Sequence, residues 1–218
     1  SLDGSYALRL SETFSMAVTG RYIRSDLQFP GSGGDASAAN TFAADISAFY
    51  RGEEKFYKNF NGRWRFGAKI SNIGPKISYD DAGNDNFIPT NFKAGVGFDF
   101  ILDPNNKIST SVEFNKLLVP TPEDSNGDGF INQEDDFFTT NEYSAIFSSW
   151  GDAPDGLSEE LKEITWALGA EYWYQESFAF RVGYFNESEE KGFRQFATIG
   201  AGFKFSRINI DTSYLFST

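Results

Sequence analysis

Large apolar side chains recur at every second position in about ten segments of this chain. Alternation with period two is the pattern of a β-strand whose two faces lie in different surroundings. After a shorter first strand near Tyr6 to Leu10, the apolar rows are Phe14, Met16, Val18 and Tyr22; Phe42, Ala44, Ile46, Ala48 and Tyr50; Trp64, Phe66, Ala68 and Ile70; Phe92, Ala94, Val96, Phe98 and Phe100; Ile108, Thr110, Val112 and Phe114; Ile164, Trp166, Leu168, Ala170, Tyr172 and Tyr174; Phe178, Phe180, Val182 and Tyr184; Ala197, Ile199, Ala201, Phe203 and Phe205; and Ile208, Ile210, Thr212, Tyr214 and Phe216.

The opposite face of the same segments is polar. Its charged residues are Asp45, Arg63, Arg65, Lys69, Lys93, Asp99, Glu113, Glu171, Arg181 and Lys204, separated by Gly, Ser and Ala. An apolar face turned to lipid and a polar face turned to a lumen are the two sides of a membrane β-barrel wall. The inner charges form either a solvated face of paired opposite signs or a path for a substrate.

The links between these segments alternate in length. Short turns occur at 11–13, 59–62, 103–106, 175–177 and 206–207, and longer links run over 31–40, 79–89, 119–163 and 186–193. Outer-membrane barrels have short periplasmic turns and long extracellular loops, whereas a soluble β-sandwich has no reason to separate its loops this way. The sequence therefore predicts an all-β, antiparallel, up-and-down transmembrane β-barrel, with a soluble sandwich as the alternative.

Composition narrows the functional classes. No window approaches the roughly 18 continuous apolar residues of a membrane helix. The chain has no cysteine and no histidine, which excludes disulfides, Ser-His-Asp triads and imidazole zinc sites. A net charge of −12 argues against a nucleic-acid partner. We expect a protein that is not an enzyme.

The 218 residues fit a single barrel domain, 1–218, with one long extracellular loop at 119–163. The chain begins in the middle of the strand pattern and ends at Phe216-Ser217-Thr218. We therefore expect further strands, early ones and the last, to lie outside this sequence. The predicted location is the bacterial outer membrane, with its lipid as solvent for the apolar rows.

The long loop contains a calcium-loop motif from Asp124 to Asp135. Ca²⁺ prefers six to eight oxygen ligands, and the twelve-residue template places them at positions one, three, five, seven, nine and twelve. The predicted ligands are Asp124, Asn126, Asp128, the carbonyl of Phe130, Asn132 and Asp135, with Gly129 at the sharp turn and Ile131 able to pin the loop. An acidic, Asn-Gly-rich loop that only resembles a site is the alternative. A bound ion would order the loop rather than catalyse a reaction.

Helical signals in this loop are few. No helical pattern flanks the calcium motif, so no opening of a helix pair is predicted. Near the end of the loop, Ser158 to Lys162 predicts a short helix capped by Ser158, with Leu161 packing downwards.

Four segments carry a resemblance to a known family. They are 62–79, from Gly62-Arg63-Trp64-Arg65-Phe66 to Ile77-Ser78-Tyr79; 87–93, Phe-Ile-Pro-Thr-Asn-Phe-Lys; 113–122, Glu-Phe-Asn-Lys-Leu-Leu-Val-Pro-Thr-Pro; and 169–174, Gly-Ala-Glu-Tyr-Trp-Tyr. Together they resemble the PorV family of outer-membrane barrels of the type IX secretion system, which is related to the FadL transporters. The resemblance implies a fourteen-stranded FadL-like barrel, of which this chain would supply about ten strands.

The resemblance also implies a non-enzymatic carrier. Such a protein would bind the C-terminal signal domains of secreted cargo, receive them from a large SprA-like translocon barrel, and pass them to a PorU-like sortase. Apolar residues in the predicted extracellular links are the candidate contacts, with packing inside the loops as the alternative for most of them: Phe87, Ile88, Phe137, Phe138, Phe147 and Trp150. Two other functions compete, a FadL-like transporter of hydrophobic small molecules and, more weakly, a membrane-embedded lipid hydrolase.

Overall fold

A computed structural model of the chain describes residues 1–26, 38–79, 85–131, 134–153 and 156–217. Most of these residues are in strands: β1 (Leu2–Arg9), β2 (Phe14–Ser25), β3 (Ala39–Arg51), β4 (Lys55–Tyr57), β5 (Phe60–Ile73), β6 (Ile77–Ser78), β7 (Asp85–Asn86), β8 (Asn91–Asp103), β9 (Asn106–Leu117), β10 (Thr165–Tyr174), β11 (Phe178–Asn186), β12 (Gln195–Phe205) and β13 (Ile208–Ser217). The helices are α1 (Asp136–Thr139), α2 (Glu142–Ser148) and α3 (Leu157–Lys162), with a 3₁₀ turn at Glu189–Lys191. None of these helices is long and apolar enough to cross a lipid bilayer.

Ten long strands form one antiparallel sheet in sequence order, β1-β2-β3-β5-β8-β9-β10-β11-β12-β13. The predicted all-β, up-and-down class and the count of about ten strands are therefore confirmed. Within the described residues β1 and β13 are the two ends of this sheet. The sequence did not predict β4, a three-residue strand that pairs with the start of β5.

Burial in this sheet is the reverse of that in a soluble domain. The outward rows expose large apolar side chains on nearly every strand, such as Trp64, Phe180 and Ile199. The other face buries acidic residues such as Asp45 and Asp99. Apolar outside and polar inside is the pattern of a membrane barrel wall, because lipid rather than a protein core receives the apolar face.

The connections alternate in length as predicted at all but one place. The predicted turn at 59–62 was wrong: residues 60–62 begin β5, and the chain turns at 58–59 within the longer link 52–59 because β4 pairs with the start of β5. Residues 10–13, 52–59, 104–105, 175–177 and 206–207 join the strands at one end of the sheet, and 26–38, 74–90, 118–164 and 187–194 join them at the other. We call these the short-turn end and the long-loop end. The largest link, 118–164, contains all three helices. The predicted site residues lie in this link and in 74–90, so all of them are at the long-loop end.

A β-bulge in β5 re-aims side chains near this end. The pairing of β3 with β5 shifts between Ala44 and Ile46, and Asn72 on β5 takes a left-handed φ of 58°. Asn tolerates this conformation better than most residues. The Asn72 amide donates to Asp45 Oδ1 at 2.9 Å, and its side-chain Nδ2 donates to the Pro89 carbonyl at 2.9 Å. The bulge therefore ties the polar face of the wall to the 74–90 link.

A small apolar core seals the same region. It consists of Ala39 and Ala43 from β3, Ile77 from β6 and Ile88 from the 74–90 link, with Ile23 and Tyr79 packed against it. The Tyr79 hydroxyl also donates to Ser25 Oγ at 2.9 Å. The 74–90 link is therefore folded against the ends of β2 and β3.

Candidate functional site

Charges on the polar face of the wall form ion pairs, most of them across neighbouring strands. Lys69 contacts Asp45 at 2.8 Å, Arg65 contacts Asp99 at 3.0 Å, and Lys93 contacts Glu113 at 2.9 Å. Further pairs join Arg21 to Asp3 and Asp45, Arg63 to Glu54, and Arg181 to Glu171 and Asp211. These ion pairs favour the interpretation of this face as a solvated surface on which opposite charges neutralise one another, rather than as a path for a substrate.

A second group of charges is buried at the long-loop end. We call Lys116, Asp152, Glu160, Glu163 and Lys191 the buried charge cluster. Lys116, at the end of β9, lies 2.5 Å from Glu160 Oε1 and 2.7 Å from Glu163 Oε2. Lys191 reaches Glu163 Oε1 at 3.1 Å and Glu159 at 2.8 Å. These contacts join the 118–164 link to a wall strand and to the 187–194 link.

Loop segments hold the acidic members of the cluster in place. The Thr121 amide donates to Asp152 Oδ2 at 2.9 Å, and its hydroxyl donates to Glu163 Oε1 at 3.3 Å. Burial alone would raise the pKa of Glu163, but hydrogen bonds from Lys116 and Lys191 outweigh it and hold the pKa below its usual value. Sequence reasoning missed this cluster because Lys116 and Lys191 lie far along the chain from its three carboxylates, and the five residues share no spacing motif.

The calcium motif forms a tight turn around the first of its predicted ligands. Asp124 Oδ1 accepts from the amides of Gly127 at 2.7 Å and Asp128 at 3.1 Å, and its Oδ2 accepts from Gly129 at 2.7 Å. Gly127 and Gly129 take φ values of 77° and 87°, which glycine adopts without the penalty of a Cβ atom. Asn126 Oδ1 accepts from the Asp128 amide at 2.9 Å.

The last predicted ligand, Asp135, is bonded to the first residues of this turn. Asp135 is fully buried, and its Oδ1 accepts from the Ser125 amide at 2.9 Å and from the Asn126 amide at 3.4 Å. Asn132 lies outside the described residues. In the described part of the chain, one group of three carboxylates has oxygens within 4.8 Å of one another. This group is Asp152, Glu160 and Glu163, which lie outside the calcium motif.

Four expectations about the loop were wrong. Helix α1 begins directly after Asp135 and α2 follows it, so helices do flank the motif on one side. Helix α3 begins at Leu157 and is capped by Gly156 without a side-chain bond, not by Ser158. Leu161 is 68% exposed and Ile131 is also exposed, so neither side chain pins its segment.

Four of the six apolar candidates pack within the loops. Ile88 is buried in the small core described above. Phe137 lies between Phe87 and Phe138, with ring centroids 5.3 and 4.9 Å away. The Lys76 ammonium lies 4.2 Å from the centre of the Phe87 ring and donates to the Phe138 carbonyl at 2.8 Å. These aromatic contacts tie α1 to the 74–90 link.

The other two candidates, Phe147 and Trp150, are exposed. Phe147 on α2 is 79% exposed, and Trp150 is 45% exposed while its ring lies 5.4 Å from that of Phe92. A cavity of about 510 Å³ lies at the same end of the sheet, and its lining mixes apolar residues such as Leu117 and Val119 with the charged Glu187, Lys191 and Arg194. The long-loop end therefore offers both exposed aromatic groups and a recess.

Comparison with known proteins places this architecture in a family. A family model described as type IX secretion system protein PorV matches residues 1–124. The match covers strands β1 to β9, and it ends where the calcium motif begins. Comparison of the sequence with curated proteins returns no match. Because the family model covers more than half of its 218 residues, this chain belongs to the PorV family of the type IX secretion system.

Proposed function

We propose that this protein is the outer-membrane component of the type IX secretion system that binds C-terminal signal domains of secreted cargo. In this proposal it receives cargo from a SprA-like translocon barrel and passes it to a PorU-like sortase, without catalysing a reaction itself. The observation that carries the proposal is family membership over residues 1–124. The exposed apolar rows of the wall support an outer-membrane location, since water would be a poor solvent for them.

The cargo contact is proposed to lie at the long-loop end. Phe147 and Trp150 are its exposed aromatic groups, and aromatic side chains are common anchors of protein interfaces. Phe87, Phe137 and Phe138 would support this surface by packing beneath it, and Ile88 would act through the small core. Phe137 also lines the cavity that Leu117 and Val119 border.

A pull-down from native membranes tests this proposal. The full protein should co-purify with a large translocon barrel and with secreted cargo, and deletion of 119–163 should abolish cargo capture while the barrel still folds. Phe147→Ser should weaken cargo binding about tenfold, the effect of losing an interface anchor. Phe56→Ser is the matched control, since Phe56 is as exposed but lies at the short-turn end. Capture that survives the loop deletion would contradict the contact site.

A FadL-like transporter of hydrophobic small molecules is the second candidate, favoured by the cavity of about 510 Å³ at the long-loop end. Liposomes carrying the protein would then take up a labelled fatty acid faster than empty liposomes. Hydrolysis of lipid A by the purified protein, lost on substitution of a wall carboxylate, would instead support an enzyme. We expect neither result.

We propose in addition that the 124–135 loop binds a structural Ca²⁺. Support comes from the motif spacing and from the turn in which Gly127 and Gly129 wrap around Asp124. Isothermal titration of the chelator-treated protein with CaCl₂ should give a heat that Asp128→Ala removes. Asp136→Ala, just beyond the motif, is the control and should leave the heat unchanged. The absence of any heat at millimolar Ca²⁺ would end the proposal.

A further inference from the structure

Five aromatic rings meet on the outward face at the short-turn end. We call them the aromatic cluster: Tyr57 of β4, Phe60 and Trp64 of β5, and Phe98 and Phe100 of β8. The ring centroid of Phe98 lies 4.8 Å from that of Trp64 and 4.7 Å from that of Phe100. Tyr57 lies 5.6 Å from Phe60 and 5.8 Å from Phe98. Aromatic side chains of membrane barrels collect at the level of the lipid headgroups, so the cluster places this interface near β4.

The hairpin of β4 and β5 builds the cluster. β4 lies off the main path of the sheet and pairs with the first residues of β5, so Tyr57 is opposite Phe60. Gly62 lies between Phe60 and Trp64 on the same face, and a Cβ atom there would collide with the Phe98 ring and touch that of Tyr57. The absence of a side chain at Gly62 therefore gives these two rings their place over the backbone.

An apolar cleft of about 440 Å³ adjoins these rings on the outward face. The cluster borders it together with Val96, Thr110 and Val112, which belong to the outward rows of β8 and β9. An apolar recess on a lipid-facing surface suits an acyl chain, because neither water nor a charged group is a good occupant for it.

Two lysines flank the cluster at its outer edge. Lys55 is opposite Gly62 in the pairing of β4 with β5, which places its side chain on the outward face with Tyr57. Lys58 is in the turn between the two strands. Both side chains are exposed, and among the described residues neither forms an ion pair. Ammonium groups at the edge of a lipid-facing surface attract anionic headgroups.

The nearest carboxylate is already compensated. Glu54 accepts from Asn61 Nδ2 at 2.6 Å and from Arg63 at 3.0 Å. The other carboxylate of the 52–59 link is Glu53, which the two lysines outweigh. Positive charge above an apolar cleft is complementary to a phosphate group that carries an acyl chain.

We propose that the hairpin of β4 and β5, together with β8 and β9, binds one anionic phospholipid of the leaflet at the short-turn end. Lys55 and Lys58 contact its phosphate, and one acyl chain lies in the cleft beside Trp64 and Phe98. This inference rests on the outer-membrane location proposed above. It gives β4, which the wall itself does not need, a role as a lipid site.

Quenching of tryptophan fluorescence by brominated lipids tests this site in the full protein in vesicles. In Trp150→Phe/Trp166→Phe/Trp173→Phe, Trp64 is the remaining tryptophan. Brominated phosphatidylglycerol should bind beside it about tenfold more tightly than brominated phosphatidylcholine, as expected for two lysines at a headgroup.

The matched reporter is Trp166, in the outward row of β10 and near the long-loop end. As the remaining tryptophan, it should be quenched equally by the two lipids. Equal quenching of Trp64 by both lipids would overturn the proposal. Quenching of Trp64 by neither lipid would contradict the outer-membrane location and the lipid site with it.

The decisive variant is Lys55→Gln/Lys58→Gln, which should abolish the preference at Trp64. Lys107→Gln/Lys204→Gln is its control, since it removes two positive charges from the polar face at the same end and should keep the preference. A preference that survives Lys55→Gln/Lys58→Gln would overturn the proposal.

Native mass spectrometry gives a second measurement that does not depend on the tryptophan substitutions. The otherwise unaltered protein should retain one phosphatidylglycerol molecule, and Lys55→Gln/Lys58→Gln should lose it. Glycerol phosphate added to the buffer should not displace this lipid, because it has no acyl chain to fill the cleft. Displacement would show a site for phosphate alone and would overturn the assignment of a phospholipid.

Discussion

The wall of the sheet and the 118–164 link both contain ion pairs, but they place them in opposite surroundings. On the wall, Lys93 and Glu113 are 47% and 46% exposed and face the polar side of the sheet. In the link, the Lys116 side chain is 2% exposed and lies against Glu160 and Glu163. Exposed pairs contribute little to stability, whereas breaking a buried pair leaves a charge without compensation. The ion pairs of the wall therefore contribute little to its stability, whereas the buried pairs of the link contribute much.

Substitution of the buried lysine should give the largest effect. Lys116→Met would leave Glu160 and Glu163 without their main counter-charge, and we expect local stability of the link to fall by about 3–5 kcal/mol. Hydrogen exchange of residues 118–164 measures this directly. Lys93→Met removes the same side chain from an exposed pair and should cost no more than about 1 kcal/mol. Equal effects of the two substitutions would remove the distinction between wall and link.

An arginine placed on the outward face or on the polar face of one strand should show which of the two faces contacts lipid and which faces the lumen. Val112 lies in the outward row at the middle of β9, and Ser111 beside it faces the polar side. Val112→Arg should destabilise the folded protein in lipid vesicles by about 2–4 kcal/mol, as expected for a charge at the bilayer midplane. Ser111→Arg should be nearly neutral in the same urea titration. If Ser111→Arg proved the more damaging, the assignment of the faces would be reversed.

We expect the smallest effect from a change in pH, which should alter the stability of the 187–194 link. Bidentate hydrogen bonds from Arg194, at 2.6 and 2.8 Å, hold the pKa of Glu187 below its usual value, although burial opposes this. Stability from this pair is then present above the usual carboxyl pKa and is lost as the pH falls through the lowered one. Gly192 permits the close approach, because a Cβ atom there would lie 2.5 Å from Glu187 Oε2.

Proteolysis of this link as the pH is lowered measures the effect. Glu187→Gln should make the link equally sensitive at neutral and acid pH. The control is Glu189→Gln, a change to a nearby carboxylate outside the pair. A wild-type link whose sensitivity does not change with acid would show that the pair does not stabilise it.

The strands of the wall could be predicted from the sequence almost completely, because the alternation of apolar and polar residues within each strand shows which residues share a face. Trp64, Phe180 and Ile199 are exposed as their rows predicted, and the link lengths alternate as expected except at 52–59, where the short strand β4 lengthens the link. The 118–164 link could not be predicted in this way. Lys116, Glu163 and Lys191 are far apart in the sequence and meet only through the tertiary fold, so no local spacing reveals them.

Errors in the link have the same cause. Ser158 and Leu161 satisfy local rules for a helix cap and for an inward apolar residue, yet tertiary packing begins α3 at Leu157 and leaves Leu161 exposed. The calcium motif lies between the wall and the rest of the link in how far its structure could be predicted. Its turn around Asp124 follows from local Asp, Asn and Gly chemistry, whereas the burial of Asp135 depends on the surrounding loop.

Lipid is proposed to be the solvent of the outward rows, and spin labels test this most directly. The chain contains no cysteine, so single cysteines can be placed at 179–184 of β11 without altering the background. In lipid vesicles, labels at Phe180, Val182 and Tyr184 should be accessible to oxygen and shielded from a water-soluble nickel complex. Labels at Arg181 and Gly183 should show the reverse. Accessibility that does not alternate, or outward labels that neither reagent reaches, would mean that protein rather than lipid covers this face.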